Sequence, residues 1–234
     1  MTDVVGGQAP ILAIDTALRR AVVALGHADG RLVDEAAWEA GHRHGQDLLR
    51  RVEALLWRNN VALGDLGGIV AGTGPGAFTG LRVGIATAKA LAHGLGRPIV
   101  GVSTAAALLE GLPVDPAEEG DTRAGRALLL PAGPSERVLV LHGEALLLPA
   151  GTEPPDRPDG LLVAVDLPGR APADALTRGR RAVAALGASL ILLGGRRLSR
   201  GDVDDLARLV PEYVTRPRGV LQERGEVAWS RGPR

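Results

Sequence analysis

The chain has 234 residues and a formal net charge of +0; 45% of its residues are hydrophobic and 2% are aromatic. The absence of cysteine excludes disulfides, iron–sulfur clusters and cysteine-ligated zinc, and the balanced charge excludes a global field that would hold nucleic acid. Because we find neither a signal peptide nor a run of the ~20 apolar residues that a membrane span needs, we expect a cytoplasmic protein without a membrane partner.

The first half of the chain is predicted to be a three-stranded meander followed by two helix–strand units. The helix at 46–59 is amphipathic, with its leucine and valine side chains on one stripe. The predicted elements, in order, are strands at 11–15, 20–26 and 31–37, a helix at 46–59, a strand in LGGIVAG, a helix at 79–93 and a strand in RPIVGVS.

The second half repeats this order more loosely, after an acidic, turn-rich connection. The predicted elements are strands in RALLLPA, ERVLVLH, EALLLPA and LLVAVD, a helix at 173–186, a strand in SLILLGG and a short helix in DVDDLARLV. The doubled βββαβα order predicts an α/β protein of two similar lobes, at 9–103 and 104–211, with a cleft between them. The tail at 212–230 is expected to pack back on the first lobe.

The segment GTGPGAFTGLRVGIATAKALA, at 72–92, places three glycines and a proline within five positions before an apolar helix. It is not a phosphate-binding G-x-x-x-x-G-K-[ST] loop, because the only lysine, Lys89, lies inside the predicted helix. It also lacks the third glycine of a dinucleotide fingerprint. Two interpretations remain open: Gly74 and Gly76 form an anion-binding turn at the helix start, or a tight turn without a ligand.

The helix after this turn carries a stripe of small residues spaced four positions apart. Such a stripe allows another backbone to approach closely. Each glycine costs a helix about 1 kcal/mol relative to alanine, which indicates a compensating contact. We therefore predict that this face of the helix meets a partner chain. The predicted contact residues are Gly80, Leu81, Gly84, Ile85, Ala88 and Ala92.

Trp57 is predicted to lie opposite the leucine stripe of the first helix, beside Arg50 and Glu53. A tryptophan on the polar face of an amphipathic helix is a candidate interface anchor. The alternative is that another segment of the same chain folds over it.

Four segments follow one another with the order and spacing of the TsaB (YeaZ) family: ILAIDTA, HRHGQDLLRRVEALL, GTGPGAFTGLRVGIATAKALA and RPIVGVSTAAALL. The chain resembles this family over residues 11–109, and PEYVTRPRG near the end resembles the family's proline–tyrosine–arginine tail. The resemblance implies two ribonuclease H-like lobes of the actin-like ATPase (ASKHA) superfamily, in agreement with the doubled pattern of elements.

The resemblance also implies a function. It implies a scaffold subunit, not itself an enzyme, that is required for threonylcarbamoyl transfer to N6 of adenosine 37 in tRNAs that decode ANN codons. The implied partners are the catalytic subunit TsaD and the ATPase TsaE, with a homodimer as a further assembly and tRNA met indirectly through the complex. No cofactor is expected for this chain alone; ATP and magnesium belong to the level of the complex.

TsaD itself shares the TGPG turn and the AKALA helix end, but it carries an H-x-E-G-H metal motif. This sequence has only His42 and His44, two positions apart and without a third ligand, so no metal site is predicted. The TsaB signature Asp-Ala-Arg is absent too. Pro131 and Gly133 stand in its place in LPAGPSERVLV, which brings into question any ligand contact that the signature bears.

No catalytic residue is predicted. Asp15 and Thr16 end the first strand, where actin-like ATPases place a carboxylate that contacts phosphate and magnesium, although an aspartate there is also an ordinary turn former. With Gly74 and Gly76, these two residues are the candidate nucleotide-binding set. They keep open a second function, a stand-alone ATP-dependent enzyme such as a small kinase or ATPase.

The arginines near the end of the chain allow two interpretations. Arg216, Arg218 and Arg224 are candidate contacts to tRNA phosphates, or they belong to a solvated tail.

Overall fold

The computed structural model describes residues 9–39, 44–114, 122, 125–133, 135–154 and 161–214. The first lobe contains β1 (Ile11–Asp15), β2 (Arg20–Gly26), β3 (Leu32–Glu39), α1 (His44–Arg58), β4 (Gly68–Gly74), α2 (Phe78–Leu95), β5 (Ile99–Ser103) and α3 (Thr104–Glu110). The rest contains β6 (Ala127–Pro131), β7 (Arg137–Leu141), β8 (Glu144–Leu148), β9 (Leu162–Ala164), α4 (Ala173–Ala184) and α5 (Leu186–Ser199).

The first sheet has the strand order β3-β2-β1-β4-β5. β1 runs antiparallel to β2 and parallel to β4, and β4 runs parallel to β5. Residues along β1 alternate between two hydrophobic clusters, Ile11 and Ala13 in one and Leu12 and Ile14 in the other. Because both faces of the sheet are covered, its central strands are continuous apolar runs rather than alternating ones.

The molecule is layered. α1 and α2 cover one face of the first sheet, and α3 and α5 lie in the hydrophobic cluster that joins its other face to the second sheet. α4 packs on β9. In the described residues, no single helix has the length and hydropathy of a membrane span; α4 and α5, bent by 58°, meet that test of length and composition only as a pair.

The second sheet has the order β8-β7-β6-β9 and lacks a fifth strand among the described residues. The predicted repeat is therefore incomplete, since the described residues between β8 and β9 contain no counterpart of α1. The strand predicted in SLILLGG is wrong, because this segment lies within α5. An apolar run of this length has the same appearance in a buried strand and in a helix that is covered on several sides.

The short helix predicted in DVDDLARLV is also wrong, because this segment runs along the outer edge of β5. The Asp204 N–H donates to the Ile99 carbonyl at 2.9 Å, and the Asp204 carboxylate accepts from the Gly101 N–H at 2.6 Å. Arg197 donates to the Gly101 carbonyl at 2.7 Å. These hydrogen bonds pair the outward-facing backbone N–H and carbonyl groups of β5, which would otherwise be unpaired at the edge of the sheet.

Candidate functional site

The predicted nucleotide-binding residues meet where β1 and β4 end. Asp15 is 1% exposed. Its carboxylate accepts hydrogen bonds from the Ala17 N–H at 2.8 Å and from the Thr104 hydroxyl at 2.7 Å. The same hydroxyl accepts from the Gly74 N–H at 3.0 Å, so Thr104 ties the aspartate to the glycine turn. Burial raises the pKa of Asp15 to about 6, and the two hydrogen bonds oppose that rise.

The glycine turn is shaped by close packing. Gly74 has φ +104°, a region that side chains with a Cβ rarely adopt. A Cβ at Gly76 would lie 2.3 Å from the Ala17 carbonyl oxygen, so only glycine fits there. The same carbonyl oxygen accepts a hydrogen bond from the Ala77 N–H at 2.7 Å. Thus the turn is built on the end of β1.

Asp15, Thr16, Gly74 and Gly76 lie together at this edge of the sheet, and nucleotide binding by them stays a prediction. Thr16 is as buried as Asp15, and its hydroxyl donates to the Gly80 carbonyl at 2.6 Å. The polar side chains are used inside the fold, which gives this set a structural role in the arrangement observed.

The small-residue stripe of α2 faces the chain's own sheet, so the prediction that it contacts a partner is corrected. α2 packs on β4 and β1, and a Cβ at Gly84 would lie 2.2 Å from the Thr16 hydroxyl oxygen. The small side chains allow the helix to approach β1, and they leave no surface for another chain. The six residues concerned, all buried, are Gly80, Leu81, Gly84, Ile85, Ala88 and Ala92.

An apolar groove lies on the outer side of the helical layer. Trp57 is 81% exposed, and Leu49 and Leu63 are 55% and 41% exposed. Leu49, Glu53 and Trp57 are four positions apart and form one ridge of α1, while its other leucines are buried against the sheet. We call this surface the α1–α2 groove; its volume is about 490 Å³. It is lined by Leu49, Val52, Glu53, Leu56, Trp57, Val61, Leu63 and Leu91.

A cleft between the lobes, of about 750 Å³, has a cationic rim that the sequence analysis missed. Arg19 comes from the β1–β2 turn, Arg20 from the start of β2 and Arg180 from α4, near apolar residues of α4 and the end of β9. The Arg19 N–H donates to the Asp166 carboxylate at 3.0 Å across the cleft. The adjacent arginines at the start of the second predicted strand were the signal that could have indicated this rim.

Two other predictions concern histidines and the tail. Among the described residues, no group of three or more His, Asp or Glu side chains is placed to hold a metal ion. His42 and the side chain of His44 lie outside the described residues. The start of the predicted tail, Glu212 and Tyr213, packs on the first lobe, whereas 215–230 and the tail arginines lie outside the described residues.

Comparison with known proteins gives matches in sequence and in structure. The family model of TsaD, the tRNA N6-adenosine threonylcarbamoyltransferase, matches residues 38–149. The tRNA threonylcarbamoyladenosine biosynthesis protein TsaB of Escherichia coli is 41% identical over 102 residues, 43% of each chain. A tRNA N6-adenosine threonylcarbamoyltransferase of Rhizobium etli is 41% identical over 76 residues, 32% of this chain and 20% of the relative. The chain thus spans less than half the length of the curated relatives it matches.

The structural match extends further along the chain. YeaZ from Pseudomonas aeruginosa superposes with a TM-score of 0.64 at 26% identity, covering 88% of this chain and 100% of that chain. These matches confirm the predicted resemblance to the TsaB (YeaZ) family and the predicted two-lobed α/β fold.

Proposed function

We propose that this TsaB-like chain is a non-catalytic scaffold in the modification of tRNA to threonylcarbamoyladenosine. In this role it binds the catalytic subunit TsaD, which transfers the threonylcarbamoyl group to N6 of adenosine 37 in ANN-decoding tRNAs, and the ATPase TsaE joins the assembly. The chain acts in the cytoplasm and contributes no cofactor of its own. The names of its relatives, a TsaB and TsaD-type transferases, support this assignment.

The observation that carries the scaffold role is the α1–α2 groove. Trp57 and Leu49 expose more than half of their surface beside the apolar side chains of Leu56 and Val61. Exposed tryptophans next to an apolar pocket are typical anchors of protein interfaces, where burial of the ring removes a large apolar area from water. We therefore place the TsaD contact at this groove instead of on the small-residue stripe of α2.

A genetic experiment tests the assignment. Deletion of the gene should abolish threonylcarbamoyladenosine in total tRNA, measured by mass spectrometry of nucleosides. A plasmid copy should restore it, and a copy with Trp57→Ala should restore it incompletely. Unchanged levels after deletion would refute the role in tRNA modification, whereas full restoration by the variant would refute only the placement of the interface.

The cleft between the lobes favours a second function, the stand-alone ATP-dependent enzyme. Its volume of about 750 Å³ suits a nucleotide. Guanidinium groups of Arg20 and Arg180, from the two sides of the cleft, provide charge for phosphates, and the apolar wall provides a surface for a base. The third arginine, Arg19, is paired with Glu39 at 3.8 Å. Because Asp15 is buried, Arg20 and Arg180 are the better residues to change.

Calorimetry with Mg-ATP on the isolated chain separates the two functions. Micromolar binding with turnover, both lost in Arg20→Ala, would support the enzyme. Heat changes no larger than those of dilution, together with co-purification of TsaD, would support the scaffold.

A further inference from the structure

The only phenylalanine and the only tyrosine of the chain meet on its surface around one arginine. The ring centroids of Phe78 and Tyr213 are 5.0 Å apart with an angle of 34° between the planes. The Arg82 guanidinium carbon lies 3.8 Å from the Phe78 centroid, and the Arg82 Nε–H donates to the Tyr213 hydroxyl at 2.9 Å. We call Phe78, Arg82 and Tyr213 the aromatic platform. Because only 2% of the residues are aromatic, contact between these two rings is not expected by chance and indicates a role for the cluster.

The platform is held in place by neighbouring contacts. Phe78 and Arg82 are one turn apart on α2, so they share a face. The preceding residue, Glu212, fixes the position of Tyr213: its N–H donates to the Thr73 carbonyl at 2.8 Å, and its carboxylate accepts from the hydroxyls of Thr73 at 2.5 Å and Ser103 at 3.3 Å. A ring fixed beforehand loses little conformational entropy when it binds a ligand.

Tyr213 nevertheless remains open to solvent. It is 44% exposed, unlike Trp38, which is 7% exposed and packs in the core. Arg82 is exposed as well and, among the described residues, forms no ion pair. Tyr213 and Arg82 therefore offer an open aromatic ring beside an exposed guanidinium group.

We propose that the aromatic platform binds single-stranded RNA, with an unpaired base stacked on Tyr213 and Arg82 next to a phosphate. This inference rests on the proposed function in tRNA modification. Stacking on an aromatic ring tolerates any base, and the Arg82 guanidinium beside the ring suits the phosphate that accompanies each base. An open surface position likewise suits a looped-out base, which needs no enclosing pocket.

Fluorescence anisotropy of a labelled, unmodified anticodon stem–loop RNA, titrated with the full chain at low salt, tests this proposal. Tyr213→Ala should weaken binding about ten-fold, the effect of losing one stacked base. The matched variant Tyr213→Phe keeps the ring and loses only the bond to Arg82, so its affinity should stay within about two-fold of wild type. Arg82→Ala should lower the slope of log affinity against log salt by about 0.7, the value for one phosphate contact on a single strand.

Three results would overturn the proposal: no RNA binding by the wild-type chain, unchanged binding by Tyr213→Ala, or equal losses in Tyr213→Phe and Tyr213→Ala. The last result would mean that the cluster only holds the tail residue Tyr213 against α2 and does not bind RNA. Thermal unfolding of each variant identifies losses that come from misfolding. Co-purification with TsaD is a separate measurement on the same variants, so RNA binding and the scaffold role fail independently.

Discussion

The two sides of the first lobe's helical layer use their apolar residues in opposite ways. On the inner side, the stripe that runs from Gly80 to Ala92 is completely covered by β1 and β4. On the outer side, the α1–α2 groove leaves Trp57 81% exposed although buried leucines lie one turn away. Small residues therefore mark where the chain approaches itself, and the large exposed residues mark where another molecule has room to bind.

The largest expected effect comes from filling the inner side. Gly84→Leu should lower the free energy of unfolding by about 3 kcal/mol, because overpacking a tight contact forces backbone and side chains to shift. The first added atom would lie 2.2 Å from the hydroxyl oxygen of Thr16, which is buried and bonded to Gly80. Urea denaturation measures the loss.

Gly94→Leu is the matched control on the same helix. A Cβ at Gly94 meets no heavy atom within 4 Å, so this variant should be as stable as wild type or slightly more stable. Since leucine favours the helix more than glycine does, equal losses in both variants would mean that a bulky side chain is not tolerated anywhere on α2, and that the contact with Thr16 does not determine the result.

The stripe also shows what the sequence can predict. The spacing of Gly80 and Gly84 correctly indicated a close approach, but it could not identify the approaching group, because a sheet of the same chain and a partner helix impose the same requirement. The order of strands and helices along the first lobe was predicted from apolar runs separated by turns. Trp57, predicted to lie on the polar face of α1, is exposed, but Leu49, which the prediction placed on the leucine stripe, is exposed on the same ridge.

The second lobe was predicted less well for a related reason. In α5, Leu190, Ile191 and Gly194 are all buried, since the helix lies between layers, and Gly194 approaches Val70 of β4. A helix covered on several sides loses the polar face that distinguishes it from a strand in the sequence. The cationic cleft was missed because its arginines come from different lobes.

The second prediction concerns Asp15, beneath the stripe. Burial raises its pKa from 3.8 to about 6, so the folded state holds the proton more tightly than the unfolded chain does. The contribution of Asp15 to the free energy of unfolding should therefore be greatest below about pH 4 and fall as the pH rises to about 6. At about 1.4 kcal/mol per pKa unit, the fall is about 3 kcal/mol.

Asp15→Asn should remove this dependence and be about 2 kcal/mol more stable than wild type at neutral pH, after one lost hydrogen bond of about 1 kcal/mol is subtracted. Urea denaturation between about pH 4 and pH 8 measures both effects. Asp205→Asn, at an exposed turn, should keep the wild-type profile. A wild-type curve without the fall would contradict the ionisation cost assigned to Asp15.

The third prediction addresses the outer side. Trp57→Ala should weaken binding of TsaD about 30-fold, corresponding to about 2 kcal/mol for an interface anchor, and should change the free energy of unfolding by less than about 0.5 kcal/mol. Calorimetric titration with purified TsaD measures the first effect. Leu146→Ala is the control, because Leu146 is 58% exposed on β8, in the other lobe. Similar losses in both variants would exclude the groove as the specific contact.

The smallest effect is expected at the end of α1, next to Trp57. There, Arg58 donates through Nε and Nη2 to the two carboxylate oxygens of Asp34, and the Asn59 side chain donates to the same group at 2.7 Å. The bonds from Arg58 hold the pKa of Asp34 below its ordinary value. Because both side chains are partly exposed, Asp34→Asn should cost only about 0.5 to 1 kcal/mol at neutral pH.

The pH dependence of this pair should have the opposite sign to that of Asp15. A carboxyl with a lowered pKa stabilises the fold above its unfolded value of 3.8 and loses that contribution as the pH falls through the folded value. The difference between wild type and Asp34→Asn should therefore shrink below about pH 4, where the contribution of Asp15 is greatest. Urea denaturation down to about pH 3 measures this difference in the free energy of unfolding. Both proteins should carry Asp15→Asn, so that the titration of Asp15 does not contribute to the comparison. A difference that persists in acid would mean that Asn59 and the backbone, rather than the charge on Asp34, anchor the end of α1 that presents Trp57.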